Sequence, residues 1–127
     1  MKIVVLIARI LLGLVFLVFG LNAFLHFIPM GPMPTGLALQ FVTALMESHY
    51  VHFVAAIQVL GGALLLINRY VPLGLTLLGP VIVNILLFHI LLNHTGLGLA
   101  IVVAMLWCIV AYRERQYFSG LFVQKTE

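Results

Sequence analysis

The sequence predicts an all-α protein: a four-helix transmembrane bundle with a short interfacial or re-entrant helix between spans one and two. Three observations carry that prediction. Of the 127 residues, 65% are hydrophobic and only 7% charged, whereas a water-soluble domain carries about a quarter charged residues to solvate its surface. The apolar residues gather into four long runs separated by Pro, Gly and Asn. All six Lys and Arg fall at alternate ends of those runs, which is the mark of a chain threaded back and forth through lipid. One domain, residues 1–127, accounts for the whole length.

The first run covers residues 3–28 and is interrupted by Arg9, Asn22 and His26. At about 1.5 Å per residue it exceeds the roughly 30 Å hydrocarbon layer and spans with some tilt. A signal peptide has a shorter apolar core and a small-residue cleavage site, so the run is read as the first span. Pro29, Gly31, Pro32, Pro34 and Gly36 then break the helix. Residues 37–47 place Leu37, Phe41, Ala44 and Leu45 at helical spacing, in a segment too short to span.

The second span is read at 50–67 and closes on Asn68-Arg69-Tyr70-Val71-Pro72. The third, 72–92, begins on Pro72 and carries Pro80 inside it, where lipid-embedded helices usually kink. Asn93-His94-Thr95-Gly96 turns the chain into the fourth, 97–112, with Trp107 and Tyr112 expected as interfacial anchors. The tail, 113–127, remains in water, with Phe118, Leu121 and Phe122 placed to touch the bilayer surface.

Lys2, Arg9, Arg69, Arg113, Arg115 and Lys125 all fall on one side of such a topology. Because Lys and Arg are retained on the cytoplasmic side during insertion, both termini are expected there. Gly13, Gly20, Gly61, Gly62, Ala100, Ala104, Cys108 and Ala111 are expected to let the helices approach closely.

Several classes of function are excluded. The net charge of +3 and pI near 9.4 come from scattered cations, so there is no nucleic-acid footprint. A single cysteine, Cys108, allows no internal disulfide. The three acids, Glu47, Glu114 and Glu127, lie outside the spans, which argues against hydrolytic or phosphoryl-transfer chemistry.

The candidate ligand-binding residues are Asn22, His26, Gln58, Asn84 and His89. The three amides fall roughly 9–12 Å below the non-cytoplasmic boundary on three different helices. An unpaired amide in hydrocarbon costs several kcal/mol, so the three are expected to face inward and bond one another or a guest molecule. His26 follows Asn22 by four residues and is expected on the same face. Asn84 and His89 are about 140° apart on an ideal helix and share a face only if the helix is distorted. Interhelical hydrogen bonding without any ligand is the competing reading. Pro29, Met30, Pro32, Met33 and Pro34 would lie over such a pocket. A further alternative is an outer-face copper site from Met30, Met33, His26 and His52, with His49 nearby, because thioether and imidazole suit Cu(I).

Residues 9–24, with Arg9, Leu12, Gly13, Phe16, Gly20 and Asn22, resemble the first helix of the DoxX family. The segment from His26 to Pro34 is similar to the histidine and Pro-Met loop of one branch of that family. Residues 58–66, with Gly61-Gly62, resemble its second-helix signature, in which an acidic residue often stands where this chain has Gln58. Asn84 and His89 also match that branch. The resemblance covers the chain up to about Tyr112. It implies a four-helix membrane protein, and some members are subunits of a thiosulfate:quinone oxidoreductase or associate with membrane oxidoreductase complexes. Two expectations follow: a quinone- or small-molecule-binding subunit of a membrane redox system, with quinone as ligand, or a non-enzymatic accessory or assembly subunit of a larger complex. The expected location is a bacterial inner (plasma) membrane, with the lipid bilayer as first partner.

Overall fold

The computed structural model describes residues 2–28 and 33–126. The described residues are helical, with five α-helices among them: α1 (Lys2–Leu25), α2 (Gly36–Glu47), α3 (Tyr50–Ile67), α4 (Val71–Leu87) and α5 (Leu97–Arg113). A π-helical turn, Phe88–Leu92, prolongs α4, and two 3-10 turns, Arg115–Tyr117 and Ser119–Phe122, follow α5. Among the described residues, three segments are long and apolar enough to cross a membrane: Lys2–Leu25, Tyr50–Ile67 and Val71–Leu92. The apolar α5, at 17 residues, is slightly shorter.

α1 packs on α3, α3 on α4, α4 on α5, and α5 returns to α1. Each neighbouring pair runs antiparallel, because advancing along one helix meets decreasing numbers on the next. Gly13 lies against Gly62 and Leu66, and Gly20 against Ala55 and Val59. Gly61 likewise lies against Leu78, and Gly74 against Leu64 and Leu65. The α1–α3 contact is the most extensive, and glycine makes it possible: a Cβ on Gly62 would stand 2.7 Å from the Leu17 nitrogen and 2.8 Å from the Gly13 oxygen. Backbones this close gain dispersion contacts, which lipid tails cannot supply as favourably.

The shared core contains Leu12, Phe16, Leu65, Leu75, Leu78, Ile82, Val103 and Val110. No polar or charged side chain is buried among the described residues. Large apolar side chains such as Leu14, Phe19, Phe53, Leu60, Val83 and Met105 point outward.

Helix ends explain most of the boundaries. α1 stops three residues short of the expected span because His26 adopts φ 54°, the left-handed region that ends helices. α3 ends in a Schellman turn: Asn68, at φ 57°, donates to the Leu65 carbonyl, and Arg69 donates to that of Leu64. The next unsatisfied carbonyl belongs to Leu66. Arg9 Nη1 reaches across from α1 to donate to Leu65 O, with Leu66 O at 3.5 Å. This cation also opposes the negative end of the α3 dipole. Arg9 thus ties two helices together, which its sequence role as a topology signal does not disclose.

Trp107 corrects an expectation. It is half-buried rather than an interfacial anchor, and its Nε1 donates to Leu75 O at 2.9 Å. The indole lies against Gly79, where a Cβ would make an ordinary contact with it at 3.4 Å. Trp107→Phe keeps most of the ring and removes the bond, so unfolding should become easier by about 1 kcal/mol. An unchanged thermal midpoint in detergent would contradict this contact. Two further expectations change. Cys108 is exposed, beside an apolar groove formed with Leu86, Ala104 and Met105, instead of packing between helices. Phe118 folds back against the core, while Leu121 and Phe122 remain exposed.

Candidate functional site

The five expected ligand-binding residues do not form one constellation. Asn22 turns its Oδ1 to the end of its own helix and accepts from Ile28 N at 2.7 Å, while its backbone carbonyl accepts from His26 N. It therefore closes α1 instead of projecting into the interior. His26 lies beyond the helix end and is exposed, so the two do not share a helical face.

Gln58 is half-buried on α3, and neither Asn22 nor Asn84 directs a hydrogen bond at it. Asn84 is exposed on α4, with Nδ2 donating to Pro80 O of the same helix at 2.9 Å. Two of the three amides expected to face inward thus bond locally, Asn22 at the end of α1 and Asn84 within α4. A side-chain amide four residues after a carbonyl can satisfy part of its need on its own backbone.

His89 Nδ1 lies 3.1 Å from Asn93 O, and because a carbonyl only accepts, Nδ1 carries the hydrogen. The ring packs over Gly96, where a Cβ would meet Cε1 at 3.2 Å. His89 therefore closes the turn between α4 and α5. The helix distortion anticipated near Pro80 occurs later: α4 runs through Pro80, and the π turn begins at Phe88. Its i→i+5 bond, Asn93 N to Phe88 O, turns His89 towards the loop. Phe88 meets the Phe41 ring of α2 at 5.6 Å.

At the same end His52 stacks between Phe24 (5.2 Å) and His49 (5.4 Å). Of the copper alternative, His52 thus has His49 as neighbour, and Met33 is exposed. Met30 lies outside the described residues, as do Pro29 and Pro32 of the expected pocket cover; Pro34 is half-buried before α2. No group of three or more His, Cys, Asp or Glu is placed to hold a metal among the described residues.

A quinone head needs donors aimed at its carbonyls from the walls of one cavity. Here His26 is exposed beyond α1, Asn84 faces outward, and His89 donates its Nδ1–H to a loop carbonyl. His26, Asn84 and His89 therefore do not direct donors into one cavity.

A different feature stands out on the outer face of α4. Thr76, Pro80 and Asn84, spaced four residues apart, are all exposed. Thr76 Oγ1 donates to Pro72 O at 2.8 Å, so its hydroxyl is satisfied within the helix. Asn84 is different, because its single side-chain bond is made by Nδ2. The Oδ1 acceptor and one N–H remain presented outward from inside an apolar segment. Comparison with protein-family models, curated proteins and solved structures finds no match.

Proposed function

We propose that this chain is a DoxX-like integral membrane protein with four spans, α1, α3, α4 and α5, acting as a non-enzymatic accessory subunit of a larger membrane complex. α5 is counted as the fourth span because it is apolar and packs antiparallel between α4 and α1. α2 lies at the interface, with Leu37 and Phe41 exposed. Both termini are cytoplasmic, since every Lys and Arg falls at one end of the four helices. A bacterial inner membrane is the compartment that the resemblance implies.

The observation that carries the accessory reading is Asn84. It lies 13 residues into the third span and eight before its end, with donor and acceptor capacity directed out of the bundle. In hydrocarbon such an amide stabilises a contact with a facing helix that offers a hydroxyl or amide, by roughly 1 kcal/mol. The scatter of the other polar groups favours this reading over a quinone site.

The test is made in native membranes, with a photoreactive residue in place of Leu87, which is exposed near the same face. A protein adduct is expected with Asn84 present, and about fivefold less with Asn84→Ala. The same probe at Phe53, exposed on α3, serves as control. Asn84→Ala should leave the purified chain's thermal midpoint nearly unchanged, because the lost bond is local. Adducts with lipid alone at both positions would sink the accessory reading.

A further inference from the structure

The end of the molecule that carries the cations holds a cleft of about 770 Å³ between the start of α1 and the end of α5. Four of the six Lys and Arg line it: Lys2, Arg9, Arg113 and Arg115. Glu114 is the one acid among them. Its apolar lining comes from Val5 and Leu6 of α1, with Val110 of α5 buried behind them. We propose that this cleft holds the phosphate of an anionic phospholipid.

Like charges gathered around one space repel, and a bound anion relieves that repulsion. Two of the cations are already held in place. Arg9 is fixed by its Nη1 bond to the α3 carbonyls, and a guanidinium has five N–H donors, so others remain for a ligand. Arg115 donates through Nη1 to Tyr112 O at 2.7 Å, and its guanidinium carbon sits 4.2 Å above the Tyr112 ring. Little side-chain freedom is then left to lose on binding. The planar donor fork of Arg matches phosphate oxygens in pairs.

Two features select a lipid over a free anion, and an acidic headgroup over a zwitterionic one. The cleft lies where α1 and α5 leave their apolar stretches, at the level of lipid phosphates, and the exposed Leu6 with the half-buried Val5 presents surface that an acyl-glycerol body covers. Inorganic phosphate would leave that surface bare. The ammonium of a choline headgroup would meet four cations and a single carboxylate. Basic pockets between helices on the cytoplasmic side bind acidic headgroups by the same electrostatics.

This inference rests on the reading that the chain spans a bilayer, and the experiment separates the two. The full chain is reconstituted in vesicles of equimolar dioleoylphosphatidylglycerol and dioleoylphosphatidylcholine, washed with alkaline carbonate, then released in mild detergent for native mass spectrometry. Retention of phosphatidylglycerol over phosphatidylcholine is expected. Arg113→Gln and Arg115→Gln should each lower that retention about fivefold. Arg69→Gln removes a cation from the same end that does not line the cleft, and should leave retention unchanged. Arg113 and Arg115 are exposed, so two independent variants keep the comparison decisive should one fold poorly.

Equal retention of the two lipids, or equal losses in the Arg69 and Arg113 variants, overturns the proposal. So does displacement of phosphatidylglycerol by inorganic phosphate but not by chloride at matched ionic strength, which would make the cleft a free-phosphate site. Loss of the protein from the vesicles in carbonate would overturn the spanning reading itself. Protein that stays in the vesicles without lipid preference rejects only the headgroup site.

Discussion

Gly62→Ala is expected to lower the thermal unfolding midpoint by about 10 °C, corresponding to roughly 3 kcal/mol of overpacking. The added methyl group would meet the Leu17 nitrogen at 2.7 Å and the Gly13 oxygen at 2.8 Å. Both are backbone atoms of α1, so no rotamer change can relieve the clash and α1 must move away from α3. That contact is the largest in the molecule, and its loss reaches Leu12, Phe16 and Leu65 in the core. Gly98 provides the opposite sign. It lies in the first turn of α5, with nothing within 4 Å of where a Cβ would stand. Gly98→Ala should therefore stabilise by about 0.5–1 kcal/mol through reduced backbone freedom in the unfolded chain. Differential scanning fluorimetry on the purified protein reads both. If the two substitutions shift the midpoint alike, the close α1–α3 approach is wrong.

Arg9→Leu has the second-largest expected effect, a destabilisation of about 1.5–3 kcal/mol. The side chain would keep its apolar contacts, but the bond from Nη1 to Leu65 O would vanish and Leu66 O would lose its nearest donor. The negative end of the α3 dipole would also lose its counter-charge. Arg9→Lys separates these causes. It retains the charge near the helix end but shortens the reach and removes the planar fork. If the hydrogen bond dominates, Lys restores less than half of the lost stability; if the dipole dominates, it restores most. Neutral detergent without phospholipid is the right medium, because Arg9 also borders the basic cleft. Wild-type stability in Arg9→Leu would mean that this inter-helix tie has no energetic weight.

The arginine was visible in the sequence in a way that its partner was not. Arg9, Gly13, Phe16 and Gly20 repeat at helical spacing, so the cation belongs to the stripe that meets another helix. Only the antiparallel seating of α3 brings the carbonyls of Leu65 and Leu66 beside it. Trp107 is a similar case. An aromatic near the end of an apolar run usually marks an interface, but here a neighbouring helix offers Leu75 O as a partner for the indole.

The amino-acid sequence by itself determined the helical class, the places where the apolar runs begin and end, and the end at which the cations gather. These depend on run length, on Pro, Gly and Asn as breakers, and on residue counts, all of which are local along the chain. With the π turn counted as the end of α4, the observed helices begin and end within one residue of the expected bounds, except at α1, where the left-handed His26 ends the helix early. Tertiary structure decided where the polar side chains point. An asparagine at a given depth can face a neighbour or bond the carbonyl four residues back, as Asn84 does with Pro80. One π turn at Phe88–Leu92 sends His89 to the loop while Asn84 faces out. Depth follows from counting residues, whereas direction depends on which backbone groups the packed helices leave free.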